Sequence, residues 1–378
     1  MKFAFTLFNY YPYGGLERNF LRIAKTCLAR GHQVHVFTMR WQGEKPDAIR
    51  LTTVPRGGFA NHRRCMSFVN GLKKAAVGSE FDLVVGFDRM PGLDLYCGAD
   101  LCHVLNVIRQ RSHLSLLLPR HRIYAAFEKA VFSPESRTEI LYLTESQKDE
   151  YVSVYGTPEE RFHYLPPGID KERIRFSMGG PSRQEVRAEF NLHNDHKLLL
   201  MVGSDFSRKG VERAIKALAS LPQQRRAKTH LFVIGKGRPR PLKKLAAQLG
   251  VEEMIRFLGG RQDVPRFLST ADLLLHPAVS ENAGNAILEA LVAGLPVLAT
   301  NNCGYAFHVE KASAGKTIEG RPFRQGEMNE ALLAMLTLPD KGQWRKNAFL
   351  YADETDLYSG HQVAVKVMEE LARRRAHH

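Results

Sequence analysis

Glu281 and Glu289 stand eight positions apart in the run Ser280-Glu281-Asn282-Ala283-Gly284-Asn285-Ala286-Ile287-Leu288-Glu289. What two carboxylates at that spacing can do depends on the residues between them. A helical apolar pattern begins near Gly284, so Glu281 falls in the preceding loop and Glu289 about a turn and a half into the helix. A helix start leaves backbone N–H groups without intrahelical partners and carries the positive end of the peptide dipole, which makes it an anion site. The backbone around Ala283, Gly284 and Asn285 can therefore cradle phosphates, while one carboxylate reaches a sugar and the other a ribose. That layout suits a nucleotide sugar. It also suits a plain surface helix, with one glutamate complementing the dipole and the other solvated. Spacing alone leaves both readings open.

Other loops bear on the choice. Gly203-Ser204-Asp205-Phe206-Ser207-Arg208-Lys209-Gly210 follows a strand pattern and precedes a helix. There Arg208 can clamp phosphate oxygens in bidentate fashion and Lys209 can act as a compact point charge. A solvated basic loop is the plainer alternative. Gly14-Gly15, after the first strand, either lets the backbone approach a phosphate or makes a tight turn. Arg261, after Gly259-Gly260, is placed to stack on a base or pair with a phosphate. The sequence contains no G-x-G-x-x-G, no G-x-x-x-x-G-K-[ST] and no Asp-x-Asp. Nicotinamide dehydrogenases, P-loop NTPases and a metal-held diphosphate are disfavoured accordingly. No metal ligands and no cofactor are expected; Arg, Lys and a helix N-terminus would neutralise the leaving diphosphate.

These loops need rigid elements behind them. Strand patterns at Lys2–Phe8, Gln33–Thr38, Leu83–Phe87 and Glu139–Leu143 alternate with a helical pattern over Glu17 to about Arg30. The alternation restarts with strands at Lys197–Val202, His230–Ile234, Ile255–Leu258, Asp272–His276 and Pro296–Thr300, and with helices at Val211–Ser220 and about Pro241–Leu249. Such alternation predicts an α/β fold of two doubly wound, Rossmann-like halves facing across a deep cleft, with ligands beyond the carboxyl ends of the strands. Tyr164-Leu165-Pro166-Pro167-Gly168-Ile169 is rich in turn signals and is placed as the linker. The domains are thus expected at 1–168 and 169–354, the first completed by a final helix within about 355–378.

A chain of 378 residues, 44% hydrophobic and 25% charged, has the composition of a two-domain globular protein. Five cysteines without a C-x-x-C pair argue against a disulfide framework or zinc site and fit a reducing compartment. The amino-terminal strand lacks a cleavage site, so no signal peptide is expected. A net charge of +15 implies an anionic partner. Without any recognised nucleic-acid module, no nucleic acid is expected, and a membrane surface or phosphorylated substrate remains.

Taken together, the Glu281-x7-Glu289 loop, the Arg208-Lys209-Gly210 loop, Gly14-Gly15 and Gly294-Leu295-Pro296-Val297 resemble the retaining GT-B glycosyltransferases of family 4. Tyr11-Pro12-Tyr13-Gly14-Gly15-Leu16-Glu17-Arg18, Met90-Pro91-Gly92-Leu93-Asp94, Leu165-Pro166-Pro167-Gly168, Cys303-Gly304-Tyr305-Ala306 and Tyr351-Ala352-Asp353 are similar to the members of that family that build the lipopolysaccharide core. The resemblance spans nearly the whole chain. It implies transfer of glucose from UDP-glucose, as co-substrate, to a heptosylated lipopolysaccharide acceptor at the cytoplasmic, inner face of the inner membrane. It further implies that Glu281 contacts the sugar hydroxyls and Glu289 the ribose. Arg208 and Lys209 would hold the pyrophosphate with the Gly15 backbone and Arg173, Arg261 would lie by the uracil, and Asp100 near the glucose or acceptor. Two departures stand out: Asn19 occupies a position that is often acidic in the family, and Ser204 one that is often Arg. A family-4 enzyme with another nucleotide-hexose donor, or a nucleotide-sugar epimerase on the same fold, stays open.

Residues 101–132 mix Arg109, Arg111, Arg120, Arg122 and Lys129 with Leu114, Leu116, Leu117, Leu118, Ile123, Tyr124 and Phe127, with Glu128 the one acid. Apolar helical faces flanked by basic residues suit an anionic membrane surface. An amphipathic core helix with a solvated basic side has the same pattern.

Overall fold

The structure is a computed structural model. It describes residues 1–12, 14–55, 57–75, 80–176, 183–338 and 342–376, without the side chains of Gln110, Arg173 and Phe176. The chain divides into two compact units, one of Met1–Gly168 with Ser359–His378 and the other of Ile169–Tyr358.

The first unit is built on seven strands: β1 (Lys2–Tyr10), β2 (Gln33–Trp41), β3 (Ile49–Thr53), β4 (Leu83–Gly86), β5 (Leu95–Cys97), β6 (Glu139–Tyr142) and β7 (Phe162–Tyr164), in the order β3-β2-β1-β4-β5-β6-β7. All pairings are parallel. Parallel strands covered on both faces read as apolar runs, and Phe3, Phe5 and Leu7 on one face and Ala4 on the other are all fully buried. Phe5, Phe20 and Phe87 pack edge-on or tilted against one another and fix the Gly15–Ala29 helix on one face. Ala364, Val365 and Met368 of the Gly360–Ala376 helix complete that same core. Gly360 is required there, because a Cβ would lie 2.2 Å from the Pro166 carbonyl oxygen.

The second unit repeats the scheme with β8 (Lys197–Val202), β9 (Thr229–Ile234), β10 (Ile255–Gly259), β11 (Leu273–His276), β12 (Val297–Thr300) and β13 (Gly315–Ile318), in the order β10-β9-β8-β11-β12-β13, again all parallel. Its ends meet: Ile169 N–H donates to the Leu357 carbonyl at 2.8 Å, and Lys171 and Arg175 both pair with Asp353.

Three expectations change. Tyr164, read as linker, closes β7, a three-residue edge strand whose side chains are only partly buried. The second unit runs on to Tyr358 rather than ending at 354, with the final helix, Gly360–Ala376, inside its expected range. The 101–132 segment is not one amphipathic run. Helices His103–Gln110 and Pro119–Phe132 flank a 3-10 turn at His113–Leu117, where Pro119, lacking an N–H, starts the second helix. Glu128 is fully buried, whereas Leu114 and Leu117 are 75% and 70% exposed.

Strand order reverses between β1 and β4 in one unit and between β8 and β11 in the other. At such a switch point the loops leaving two adjacent strands diverge to opposite faces and open a crevice, where doubly wound sheets bind ligands. The candidate residues lie mainly in those loops.

Candidate active site

In the second unit, the loop after β8 and the loop after β11 are stitched together. Val279 N–H donates to the Arg208 carbonyl at 2.8 Å. Gly210 is left-handed, at φ +72, and its Cα sits so close to the Pro277 carbonyl that a Cβ would lie 1.9 Å from it. Arg213, one turn on, donates to the Pro277 and Ala278 carbonyls at 3.3 and 3.1 Å. From the other side, Thr300 Oγ1 donates to the Ala278 carbonyl at 2.9 Å and Asn302 Nδ2 to that of Val279 at 2.7 Å. The loop carrying Glu281 is therefore a rigid platform rather than a solvated connection.

On that platform Glu281 is nearly buried, and one of its oxygens, Oε2, meets both cations: Arg208 Nη1 at 3.0 Å and Lys209 Nζ in a close ion pair. Lys209 is itself only 11% exposed. Burial would raise the Glu281 carboxyl, but Lys209 first and Arg208 next pull it down to about 2, so it is ionised at any working pH. Gly284, at φ +92, is the left-handed N-cap of the Asn285–Val292 helix, and no side chain caps that end. Ala283 is pinned through its carbonyl, which accepts from Tyr305 N–H at 2.8 Å and Cys303 Sγ at 3.2 Å. Glu289 is buried within the helix. A paired carboxylate, two cations and an uncapped helix start thus converge at one switch point, and can accept a polyol beside a diphosphate.

Arg261 follows β10 on the same carboxyl edge of the sheet. Asp263 holds its guanidinium by two bonds of 2.7 Å, and the Phe267 ring lies beneath it at 5.0 Å. The backbone of Arg173 lies in the Lys171–Phe176 helix; its side chain falls outside the described residues.

Gly15 and Asp100 belong to the first unit. Gly15 begins the first helix, after Gly14 as an extended N-cap. Asp100 is half-exposed, 3.7 Å from Arg89, beside a cavity of about 310 Å³ at the β1/β4 switch point lined by Asn9, Glu17, Asp88, Arg89, Asp100 and Tyr124 among others. Asp88 accepts from Phe8 N–H at 2.6 Å; burial raises its carboxyl to about 7, with that hydrogen bond opposing. Glu17 is raised by burial as well.

His276, Asn302, Asp88 and Arg89 were not picked out from the sequence, and Glu17 and Cys303 appeared only within motifs that carried the resemblance, with no role at the site. His276 alone left a signal, as a lone polar residue ending the buried run Leu273-Leu274-Leu275. Among the described residues, no group of three His, Cys, Asp or Glu side chains gathers as a metal site, and all five cysteines are buried and unpaired.

Two family models match, Glycosyltransferase Family 4 over residues 13–173 and Glycosyl transferases group 1 over residues 182–351. The lipopolysaccharide glucosyltransferase WaaG of Escherichia coli (strain K12) is 45% identical over 358 residues, 94% of this chain and 95% of that protein. The chain belongs to the family-4 glycosyltransferases. A crystal structure of WaaG, described as a glycosyltransferase involved in lipopolysaccharide biosynthesis, superposes on this family-4 glycosyltransferase with a TM-score of 0.93 at 44% identity, covering 97% of this chain and 99% of that one. HepE of Anabaena in complex with UDP-glucose shares the fold alone, with a TM-score of 0.74 at 19% identity over 99% of this chain and 100% of that one. The expected pair of Rossmann-like halves is therefore the GT-B fold.

Proposed function

We propose that this glycosyltransferase moves glucose from UDP-glucose to an inner-core heptose of lipopolysaccharide, with retention and without a metal ion. The observation that carries the reading is the Glu281 carboxylate held between Arg208 and Lys209 beside the uncapped helix start. The E. coli relative's name supports lipopolysaccharide as acceptor and glucose as the transferred sugar.

In this reading Arg208 and Lys209 neutralise the charge that builds on the leaving diphosphate, assisted by the helix start and Arg173. Glu281 accepts from hydroxyls of the glucose, Glu289 binds the ribose, and the face of Arg261 opposite Phe267 stacks on uracil. Glu281 carries no proton to give, and an anion paired with two cations is a weak base. The attacking heptose hydroxyl therefore passes its proton to the leaving phosphate oxygen, on the face of the sugar that the leaving group occupied. The anomeric C–O bond to the diphosphate breaks as the new glycosidic bond forms, and Asp100 orients the acceptor. The deciding measurement is glucose transfer to heptosylated lipopolysaccharide across UDP-glucose, UDP-galactose and other nucleotide hexoses, with and without a chelator. UDP-glucose should be preferred at least tenfold and the chelator should have no effect. Preference for another hexose, or loss with the chelator, would sink the reading.

The inner face of the inner membrane is the proposed location. No helix among the described residues is long and apolar enough to cross a membrane. Leu114, Leu117 and Leu118, exposed at a turn, carry basic neighbours Arg109, Arg111, Arg120 and Arg122. Such a knob can insert in the headgroup layer while the arginines meet anionic lipid, each worth about 1 kcal/mol. Replacing the three leucines with serine should cut binding to phosphatidylglycerol vesicles at least tenfold with Tm unchanged. Equal vesicle binding would remove the membrane claim.

A further inference from the structure

His276 is the last residue of β11 and only 2% exposed, yet its Nε2 has no hydrogen-bond partner among the described residues. An unsatisfied buried polar atom is a standing cost, which selection tolerates where the atom has a partner in another state. The surroundings identify that partner. A Cβ on Gly284 would lie 3.6 Å from His276 Nε2, 3.6 Å from Glu281 Cγ and 2.3 Å from Cys303 Sγ. His276 Nε2 and Glu281 Cγ thus lie at the same ordinary contact distance from one point beside Gly284, and the imidazole senses the Glu281 charge. Burial, with Lys209 adding to it, keeps the imidazole neutral down to about pH 3, so it carries a single N–H.

In the structure Glu281 Oε2 is engaged by Arg208 and Lys209 together. The proposed function requires those cations to hold a diphosphate of higher charge than one carboxylate. Donor binding then weakens both ion pairs and leaves a buried carboxylate short of donors. We propose that His276 is a positioning residue, its Nε2–H hydrogen-bonding the Glu281 carboxylate when the donor diphosphate engages Arg208 and Lys209, so that Glu281 stays aimed at the sugar hydroxyls. This rests on the donor-site reading above and adds to it a residue that touches no part of the substrate.

The test compares two near-isosteric variants, H276Q, whose amide keeps an N–H, and H276M, which has none. Each is measured for Tm, for UDP affinity by calorimetry, and for kcat and KM with UDP-glucose. An idle buried imidazole would be replaced by Met with Tm unchanged or raised and kinetics unchanged. The positioning role predicts for H276M a roughly thirtyfold fall in kcat/KM for UDP-glucose, with UDP affinity within twofold of wild type, because UDP lacks the sugar. H276Q should recover most of that fall. H276M kinetics within twofold of wild type would overturn the proposal. So would an equal loss of UDP affinity, or a Gln variant no better than Met. Should H276M fail to fold, H276F takes its place in the same comparison. Absence of glucose transfer by the wild-type enzyme would instead count against the donor assignment.

Discussion

Glu281→Gln should lower glucose transfer at least a hundredfold while leaving UDP binding intact or tighter. The two halves of that expectation have separate causes. Transfer falls because the amide cannot accept from sugar hydroxyls as a carboxylate does, and charge-assisted bonds are about twice as strong as neutral ones. UDP binding is preserved because Arg208 and Lys209 no longer share their charge with Glu281 when the diphosphate arrives. Calorimetry with UDP, set beside kcat with UDP-glucose, reads both. The pairing with Lys209 and Arg208 also links Glu281 to stability. With its carboxyl depressed to about 2, its contribution is in full force above the ordinary carboxylate pKa and is lost as pH falls through about 2. E281Q should therefore lower Tm at pH 7, and the gap to wild type should narrow only in strong acid. A weaker UDP complex in E281Q would show that the carboxylate helps rather than competes.

Glu128→Ala is expected to have the largest effect on stability, lowering the Tm of the first unit by roughly 10 °C. The fully buried Glu128 carboxylate pairs with Arg89 and accepts from His103 N–H at 2.6 Å, Val104 N–H at 3.2 Å and Tyr155 Oη at 2.8 Å. Removing it leaves a mostly buried guanidinium with the half-exposed Asp100 as its remaining counter-charge, and takes the acceptor from two N–H groups at a helix start. Breaking one side of such a pair costs about 3–5 kcal/mol, and each kcal/mol moves Tm by roughly 2–4 °C in a domain of this size. Arg89→Met in the same protein should restore part of the loss, since a pair replaced by apolar groups is tolerated better than a pair cut in half. Arg89 also reaches Asp100, so the single variant should raise the acceptor KM while UDP affinity, which the proposed function assigns to loops of the second unit, stays put. Calorimetric unfolding and acceptor titration together check this; an unchanged Tm would show that water satisfies the site.

Glu281, Arg208 and Lys209 were legible from sequence because each sits in a loop that leaves a strongly apolar strand. Leu198–Leu200 and Leu273–Leu275 announce buried parallel strands, and Gly210 and Gly284 mark the turns that end their loops. The strands that were missed had no such contrast. β3 buries only Ile49 and β13 only Ile318, and β5 and β7 are three residues long. Their strand character comes from a neighbour in the sheet rather than from their own pattern. Asn302 was illegible for another reason. It sits beside Glu281's loop only because β11 and β12 are adjacent, and sequence distance carries no trace of that pairing, whereas His276 ends the strand that leads into the loop and showed only as a lone polar residue. Glu128 looked like the stray acid of a basic face, since its partner Arg89 lies 39 residues away.

The second unit opens and closes on itself at Ile169 and Leu357, and the first resumes with Gly360 seated against Pro166. In chain order the second unit is an insertion inside the first. On a ribosome it can fold to completion while the first sheet still lacks the helix carrying Ala364, Val365 and Met368 and exposes the face around Phe5 and Phe20. The first half made is therefore the last half finished. A circular permutant that begins near residue 359 and joins residue 376 to residue 1 through a short linker would present that helix at the outset.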